Sequence, residues 1–158
     1  MNRTLMLSAT TAIVAVAVAV AVVARPASGH SFRQFHFFEA FPGGYGAEVN
    51  ATGNKTRVGD YVVFHSKVTD GKGGPVTGQN NAMCLHGHFK DYCHGVVLFN
   101  DRGTLTVDGL GTLGDKPHID RFAITGGTGE FIGVNGEMWF DSRKATDAGI
   151  DWTVTLVG

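Results

Sequence analysis

The sequence predicts an all-β domain, an antiparallel barrel or sandwich, from three observations. Glycine is abundant and proline scarce, at 23 and 4 of 158 residues, which favours many short strands joined by tight turns over a helical bundle. Strand-like segments recur at short, regular intervals between Gly, Asp and Asn residues. After the first 29 residues, no apolar stripe with helical spacing extends beyond about two turns.

Residues 1–29 have the three-part layout of a secretory signal peptide. A basic residue in MNRT precedes the uncharged stretch from Leu5 to Ala24, and the small residues of RPASG follow. The most apolar run, AIVAVAVAVAVVA, has 13 residues and is short for a bilayer core of roughly 30 Å. We expect cleavage after Gly29 and a secreted mature domain, residues 30–158. The alternative is a retained anchor that holds the domain at the cell surface.

Eight segments of the mature domain have the composition of strands. Apolar residues alternate with polar ones in several of them, and turn residues such as Asp70-Gly71 separate them. In order they are SFRQFHFF, GDYVVFHSKVT, PVTGQNNAMCL, HGVVLFN, TLTVDGLG, HIDRFAIT, GEMWFD and DWTVTLVG. The stretch 41–58, rich in Gly and Asn, is the longest predicted loop. The expected core fillers are Phe32, Phe35, Phe37, Phe64, Phe99 and Phe131.

Cys84 and Cys93 are nine positions apart in MCLHGHFKDYCHG. In an exported protein, two cysteines that flank a short polar connection favour a disulfide across a hairpin. The alternative is a free catalytic thiol.

Five glycines crowd into FAITGGTGEFIGVNGEM, residues 122–138. A phosphate-binding loop would need a following helix and a nearby cation. No helical stripe follows, and no Lys or Arg lies between Arg121 and Arg143. We therefore interpret this segment as architecture, with bends and bulges at a barrel rim. The net charge of −1 likewise gives no electrostatic basis for a nucleic-acid partner.

The same segment resembles the signature of the allene oxide cyclase and dirigent superfamily: Gly-Gly-Thr/Ser-Gly, an aromatic residue and a second Gly-x-x-Gly. The likeness extends through GTLTVDG, VTGQNNAMCL, HGVVLFN and WTVTLVG, and covers about Ser31 to Gly158. It implies an eight-stranded antiparallel barrel around an apolar cavity, commonly assembled as a homotrimer. Allene oxide cyclases turn an unstable fatty-acid epoxide into a cyclopentenone. Dirigent proteins steer the coupling of phenoxy radicals, which implies an oxidase partner.

The resemblance also implies candidate site residues. Glu39 resembles the cyclase carboxylate that faces the cavity, and Cys84 falls on the cyclase cysteine. Two cyclase asparagines and a tyrosine correspond to Phe41, Ser66 and Arg102. Dirigent proteins use aspartates in the barrel, for which the available carboxylates are Asp60, Asp108 and Asp120.

Three histidines raise the alternative of a metal site. His86 and His88 alternate on one strand face, and His94 lies just across the hairpin. Three ligands from one flexible hairpin rarely converge unaided, so a polar, histidine-rich turn is the favoured interpretation. We predict neither a metal nor a cofactor.

The sequence therefore predicts a secreted barrel that binds a small hydrophobic, reactive intermediate and guides its cyclisation or stereoselective coupling. Glu39 would act as a general acid or stabilise a developing cation. The alternative is a non-catalytic, lipocalin-like ligand binder or a structural surface protein, in which Glu39 is a solvated glutamate at a strand end. An inward, desolvated Glu39 would favour the enzyme, an isomerase or cyclase.

Overall fold

Eight antiparallel strands close into one barrel, which confirms the predicted fold class. The structure, a computed structural model, describes residues 31–53, 57–112 and 117–158, and the predicted leader, residues 1–29, lies outside them. Each strand pairs with the next along the chain, and the last returns to pair with the first. The strands are β1 (Phe32–Val49), β2 (Tyr61–Thr69), β3 (Val76–Leu85), β4 (Asp91–Phe99), β5 (Gly103–Gly111), β6 (Ile119–Gly127), β7 (Asn135–Asp141) and β8 (Gly149–Val157). Within these ranges, no helix has the length and apolar character needed to cross a membrane.

Strand β1 continues well into the stretch predicted as a loop. Its pairing with β2 runs to Ala40, shifts register, and resumes from Tyr45 to Val49. The extra residues contain Pro42, which cannot donate a ladder hydrogen bond, and Gly43, whose φ of 79° is left-handed. The prediction of a loop was wrong for positions 41–49, which form a bulged strand, because bulge and loop share the same Pro and Gly signals. Positions 50–53 and 57–58 are not in a strand, and positions 54–56 lie outside the described residues.

One end of the barrel is filled by side chains. Phe131 is fully buried there, its ring stacked on Phe35 and tilted against Phe99, with centroids 6.2 and 5.5 Å away. We call these three phenylalanine rings the plug. The Arg102 guanidinium covers it and lies 5.3 Å from the centroids of both Phe35 and Phe131. We call this the closed end. Phe32 is not part of it, since 74% of its surface is exposed. The prediction that Phe32 fills the core was wrong, because it points outward from the first residue of β1.

The glycine-rich segment, residues 122–138, has a structural role, as predicted. A register shift between β5 and β6 leaves Thr125 as a bulge, and a single 3-10 turn at Gly129–Phe131 follows. This turn bends the chain over the closed end and inserts Phe131 between its neighbours. A three-residue turn is too short to present the helical amide terminus that a phosphate site needs.

The two adjacent glycines of this segment give a matched test. A Cβ at Gly127 would lie 2.5 Å from the Thr104 carbonyl oxygen and 2.6 Å from the Phe131 Cβ, whereas a Cβ at Gly126 would meet nothing within 4 Å. Gly127→Ala is expected to lower the free energy of unfolding by about 1–3 kcal/mol through overpacking. Gly126→Ala should change it by less than about 0.5 kcal/mol. Urea unfolding of both variants measures the difference, and equal effects would contradict this role for Gly127.

Candidate functional site

The other half of the barrel is hollow and open. A cavity of about 480 Å³ lies there, within the size range of small-molecule sites. Inward positions of β4 and β5 carry Gly95 and Gly111. A Cβ at either position would lie 3.1 Å from a neighbouring side-chain atom, so glycine lets the wall pack closely there. The remaining lining is mainly apolar and aromatic, with Phe64, Phe122, Phe140, Met138, Ile150 and Trp152 among its residues.

Glu39 provides a buried carboxylate in the cavity wall. It points inward from β1, and only 6% of its surface is exposed. Its Oε1 accepts hydrogen bonds from the Ser66 hydroxyl and from Asn80 Nδ2 (2.9 Å), and its Oε2 accepts one from Trp152 Nε1 (2.7 Å). Three donors from β2, β3 and β8 therefore hold the carboxylate in one orientation.

The predicted disulfide is confirmed and forms part of the cavity wall. Cys84 on β3 and Cys93 on β4 are direct cross-strand partners, and their sulfurs are bonded. Both residues are buried and line the cavity. A Cβ at Gly111 would lie 3.1 Å from the Cys93 sulfur, so glycine at that position lets the bridge pack against β5.

A second carboxylate, Asp120, lines the cavity nearer its mouth. Asp120 is buried, and its Oδ2 accepts a hydrogen bond from the Thr112 amide at 2.7 Å. Unlike Glu39, it has cationic or ionisable neighbours: His118 Nε2 is 3.4 Å from Oδ2, and Lys90 Nζ is 3.8 Å from Oδ1. The negative charge of Asp120 is thus partly balanced within the protein.

Beside the mouth, Asp141 at the end of β7 forms a two-pronged ion pair with Arg143. The Arg143 guanidinium lowers the pKa of Asp141 to about 2. The carboxylate also accepts a bond from the Arg143 amide, which fixes the short 3-10 turn Ser142–Lys144. That turn presents Ser142 to the cavity.

The structure brings four of the five candidate site residues together. Phe41 and Cys84 line the cavity with Glu39, and Ser66 lies behind Glu39 as its hydrogen-bond donor. Arg102 does not join them. It occupies the turn after β4, at the closed end, where it pairs with Glu130 and covers the phenylalanine plug.

Of the three candidate aspartates, only Asp120 lines the cavity. Asp60 is fully buried before β2 and accepts bonds from the Thr52 amide (2.9 Å) and hydroxyl (2.8 Å), which lower its pKa. Asp108 points outward from β5 toward His94 and Tyr92, and the hydrogen bond from His94 lowers its pKa.

The three histidines of the hairpin do not converge. His86 lies between Asp91 (Nδ1 to Oδ1, 3.1 Å) and Arg57 (Nε2 to Nη2, 3.0 Å). His94 pairs with Asp108 on the outer face of the sheet, and His88 lies beside Phe89 in the turn. The described part of the chain contains no group of three or more side chains that could hold a metal ion.

Sequence reasoning missed Asn80 and Trp152, which hold Glu39, and did not single out His118. A signal for the first two exists in strand periodicity. Asn80 lies four residues before Cys84 on the same strand, so both side chains point to the inward face. Trp152 lies two residues before Val154 and four before Leu156, so it shares the inward face with them. Their contact with Glu39 depends on how the strands pair, and for Trp152 on closure of the barrel, which no local pattern shows.

Comparison of the sequence with protein-family models and with curated proteins finds no match. Comparison of the structure finds several solved barrels. A pyocyanin demethylase superimposes with a TM-score of 0.64 at 20% identity, over 78% of this chain and 99% of that one. A pterocarpan synthase dirigent protein does so with 0.61 at 16% identity, over 84% and 88%. A nonspecific heme-binding cyclase that catalyses a (4 + 2) cycloaddition in neoabyssomicin biosynthesis gives 0.57 at 17% identity, over 82% and 65%. The chain therefore has the dirigent-like barrel fold that the glycine-rich segment predicts.

Proposed function

We propose that the protein binds a small hydrophobic, reactive intermediate in this cavity and guides its cyclisation or stereoselective coupling. One observation carries the proposal: a mainly apolar cavity contains a buried carboxylate, Glu39, which three neutral donors hold in place. An inward and desolvated glutamate favours chemistry over passive binding. No step of the proposed reaction requires a cofactor.

Two physical effects would produce the activity. The walls hold a flexible substrate near its ring-closing or coupling geometry, which removes much of the entropic barrier. The Glu39 carboxylate, already oriented by its donors, stabilises positive charge as it develops in the transition state. Because those donors fix the carboxylate before the substrate arrives, little reorganisation is needed during the reaction.

The comparisons support this proposal at the level of the fold. Solved barrels of this shape include dirigent proteins named as pterocarpan synthases and a cyclase. A barrel fold like this one thus occurs in proteins named for such reactions.

Export and assembly form part of the proposal. A disulfide between Cys84 and Cys93 suits an oxidising compartment, which supports secretion by the leader. A homotrimer, and an oxidase that supplies radicals if the protein works as a dirigent protein, are the proposed partners.

A second candidate is a secreted, non-catalytic ligand binder. It is favoured by the residues that stand where cyclases have two asparagines and a tyrosine. Phe41 is apolar, Ser66 donates to Glu39, and Arg102 lies at the closed end. A cavity that binds ligand and transition state equally well would not accelerate a reaction.

Glu39→Gln separates the two candidates. The protein is incubated with unsaturated epoxides that close to racemic rings, and with phenols oxidised to radicals by a separate oxidant. We expect wild type to enrich one enantiomer of a product, measured by chiral chromatography, and Glu39→Gln to slow that enriched reaction by about 100-fold.

The matched control is Glu137→Gln, which removes an equal charge from the outer face of β7, where Glu137 pairs with Arg121. It should behave as wild type. Racemic product with wild type throughout the panel would reject the catalytic proposal and leave the ligand binder.

A further inference from the structure

We infer that the natural ligand of the cavity is a hydrophobic organic cation, a molecule whose positive charge is delocalised over a planar ring system. The inference rests on the proposed use of the cavity and names the chemical class that it takes. It follows from a charge that the described residues leave unbalanced.

Within the described ranges, every hydrogen-bond partner of Glu39 is neutral. A serine hydroxyl, an asparagine amide and a tryptophan indole donate to it, and among residues 31–53, 57–112 and 117–158 it forms no ion pair. The contrast with Asp120 is direct, because that carboxylate has His118 and Lys90 beside it. Neutral hydrogen bonds orient a buried carboxylate, but they supply neither the countercharge of a cation nor the full hydration that bulk water provides.

The walls around Glu39 are suited to a charged ring. Trp152 donates to the carboxylate, and its own ring meets Phe140 edge to face at 4.7 Å and Phe122 at 5.8 Å between centroids. With Phe64, these rings make up four aromatic side chains in the cavity lining. Aromatic faces attract cations, most strongly where water is excluded.

A small inorganic cation fits this site poorly. A hard cation needs several oxygen ligands at once, and three hydrogen bonds already occupy most of the acceptor sites of the Glu39 carboxylate. The described residues place no second or third carboxylate, His or Cys with it as a metal-binding group. An organic cation needs no such ligand set. Its delocalised charge loses less hydration energy on burial, and its rings replace water against the apolar wall.

The test compares two probes of nearly the same shape that differ in charge, 1-methylquinolinium and 1-methylnaphthalene. Binding is followed by NMR at the Trp152 indole N–H, which donates to Glu39 and reports on the cavity itself. Trp152 and Trp139 are the 2 tryptophans of the chain, so Trp139→Phe assigns the signal. In wild type, we expect the cation to bind at least about tenfold more tightly than the neutral probe.

Glu39→Gln should abolish this preference or reverse it, while Glu137→Gln, with the same change in net charge on the outer face, should keep it. Equal affinities in wild type, or a preference that survives Glu39→Gln, would overturn the inference and leave cavity binding intact. Binding of neither probe would reject the proposed cavity function and this inference with it. The wild-type comparison needs no variant, so it decides the question even if Glu39→Gln weakens the fold.

Discussion

Replacing Phe131 with alanine is expected to lower the free energy of unfolding by about 3–5 kcal/mol. Phe131 is fully buried, and its ring fills the closed end of the barrel against Phe35 and Phe99. The substitution removes this buried ring and leaves a void that the closed sheet cannot collapse to fill. It also deprives the guanidinium groups of Arg33 and Arg102 of a ring face 5.5 and 5.3 Å away.

Urea unfolding of the oxidised protein measures this loss. Phe89→Ala is the matched control, because 98% of Phe89 is exposed in the turn between β3 and β4. It should change the free energy of unfolding by less than about 0.5 kcal/mol. A loss below about 1 kcal/mol for Phe131→Ala would mean that the plug is not part of the cooperative core.

Strand β1 shows how much of the fold can be predicted from local sequence patterns. Alternation in SFRQFHFFE places Phe35, Phe37 and Glu39 on one face, and the structure keeps all three inward. Two-residue periodicity likewise identifies the strands that form the barrel. The bulge at Pro42 and Gly43 escaped this reasoning, because a short interruption of pairing carries the same turn residues as a true loop.

The candidate site was less predictable, because it is assembled from strands distant in sequence. Glu39 could be singled out by resemblance, but its partners Asn80 and Trp152 are separated from it by 41 and 113 positions. Asn80 reaches Glu39 across β2, and Trp152 reaches it through the pairing between β8 and β1 that closes the sheet. For Arg102, the sequence correspondence led to the wrong position. A correspondence in sequence put it in the cavity, whereas the turn that carries it lies at the opposite end of the barrel.

In the hollow half of the barrel, the disulfide between Cys84 and Cys93 links β3 and β4 in the cavity wall. Replacing both Cys84 and Cys93 with alanine is expected to lower the free energy of unfolding by about 2–3 kcal/mol, the chain-entropy value for so short a loop. Alanine is the suitable replacement, since serine would bury hydroxyl groups in an apolar wall and add a separate cost. Urea unfolding of the oxidised wild type and the double variant gives the difference.

A second measurement separates the link from the packing of the sulfur atoms. Reduced wild type keeps both sulfurs but loses the bond, so it should lose most of the same free energy as the double variant. The expected order of stability is oxidised wild type well above the reduced protein, with the double variant close to the latter. Equal stability of the oxidised and reduced forms would contradict a stabilising bond. In that case the backbone ladder between β3 and β4 would hold the two strands together without the bond.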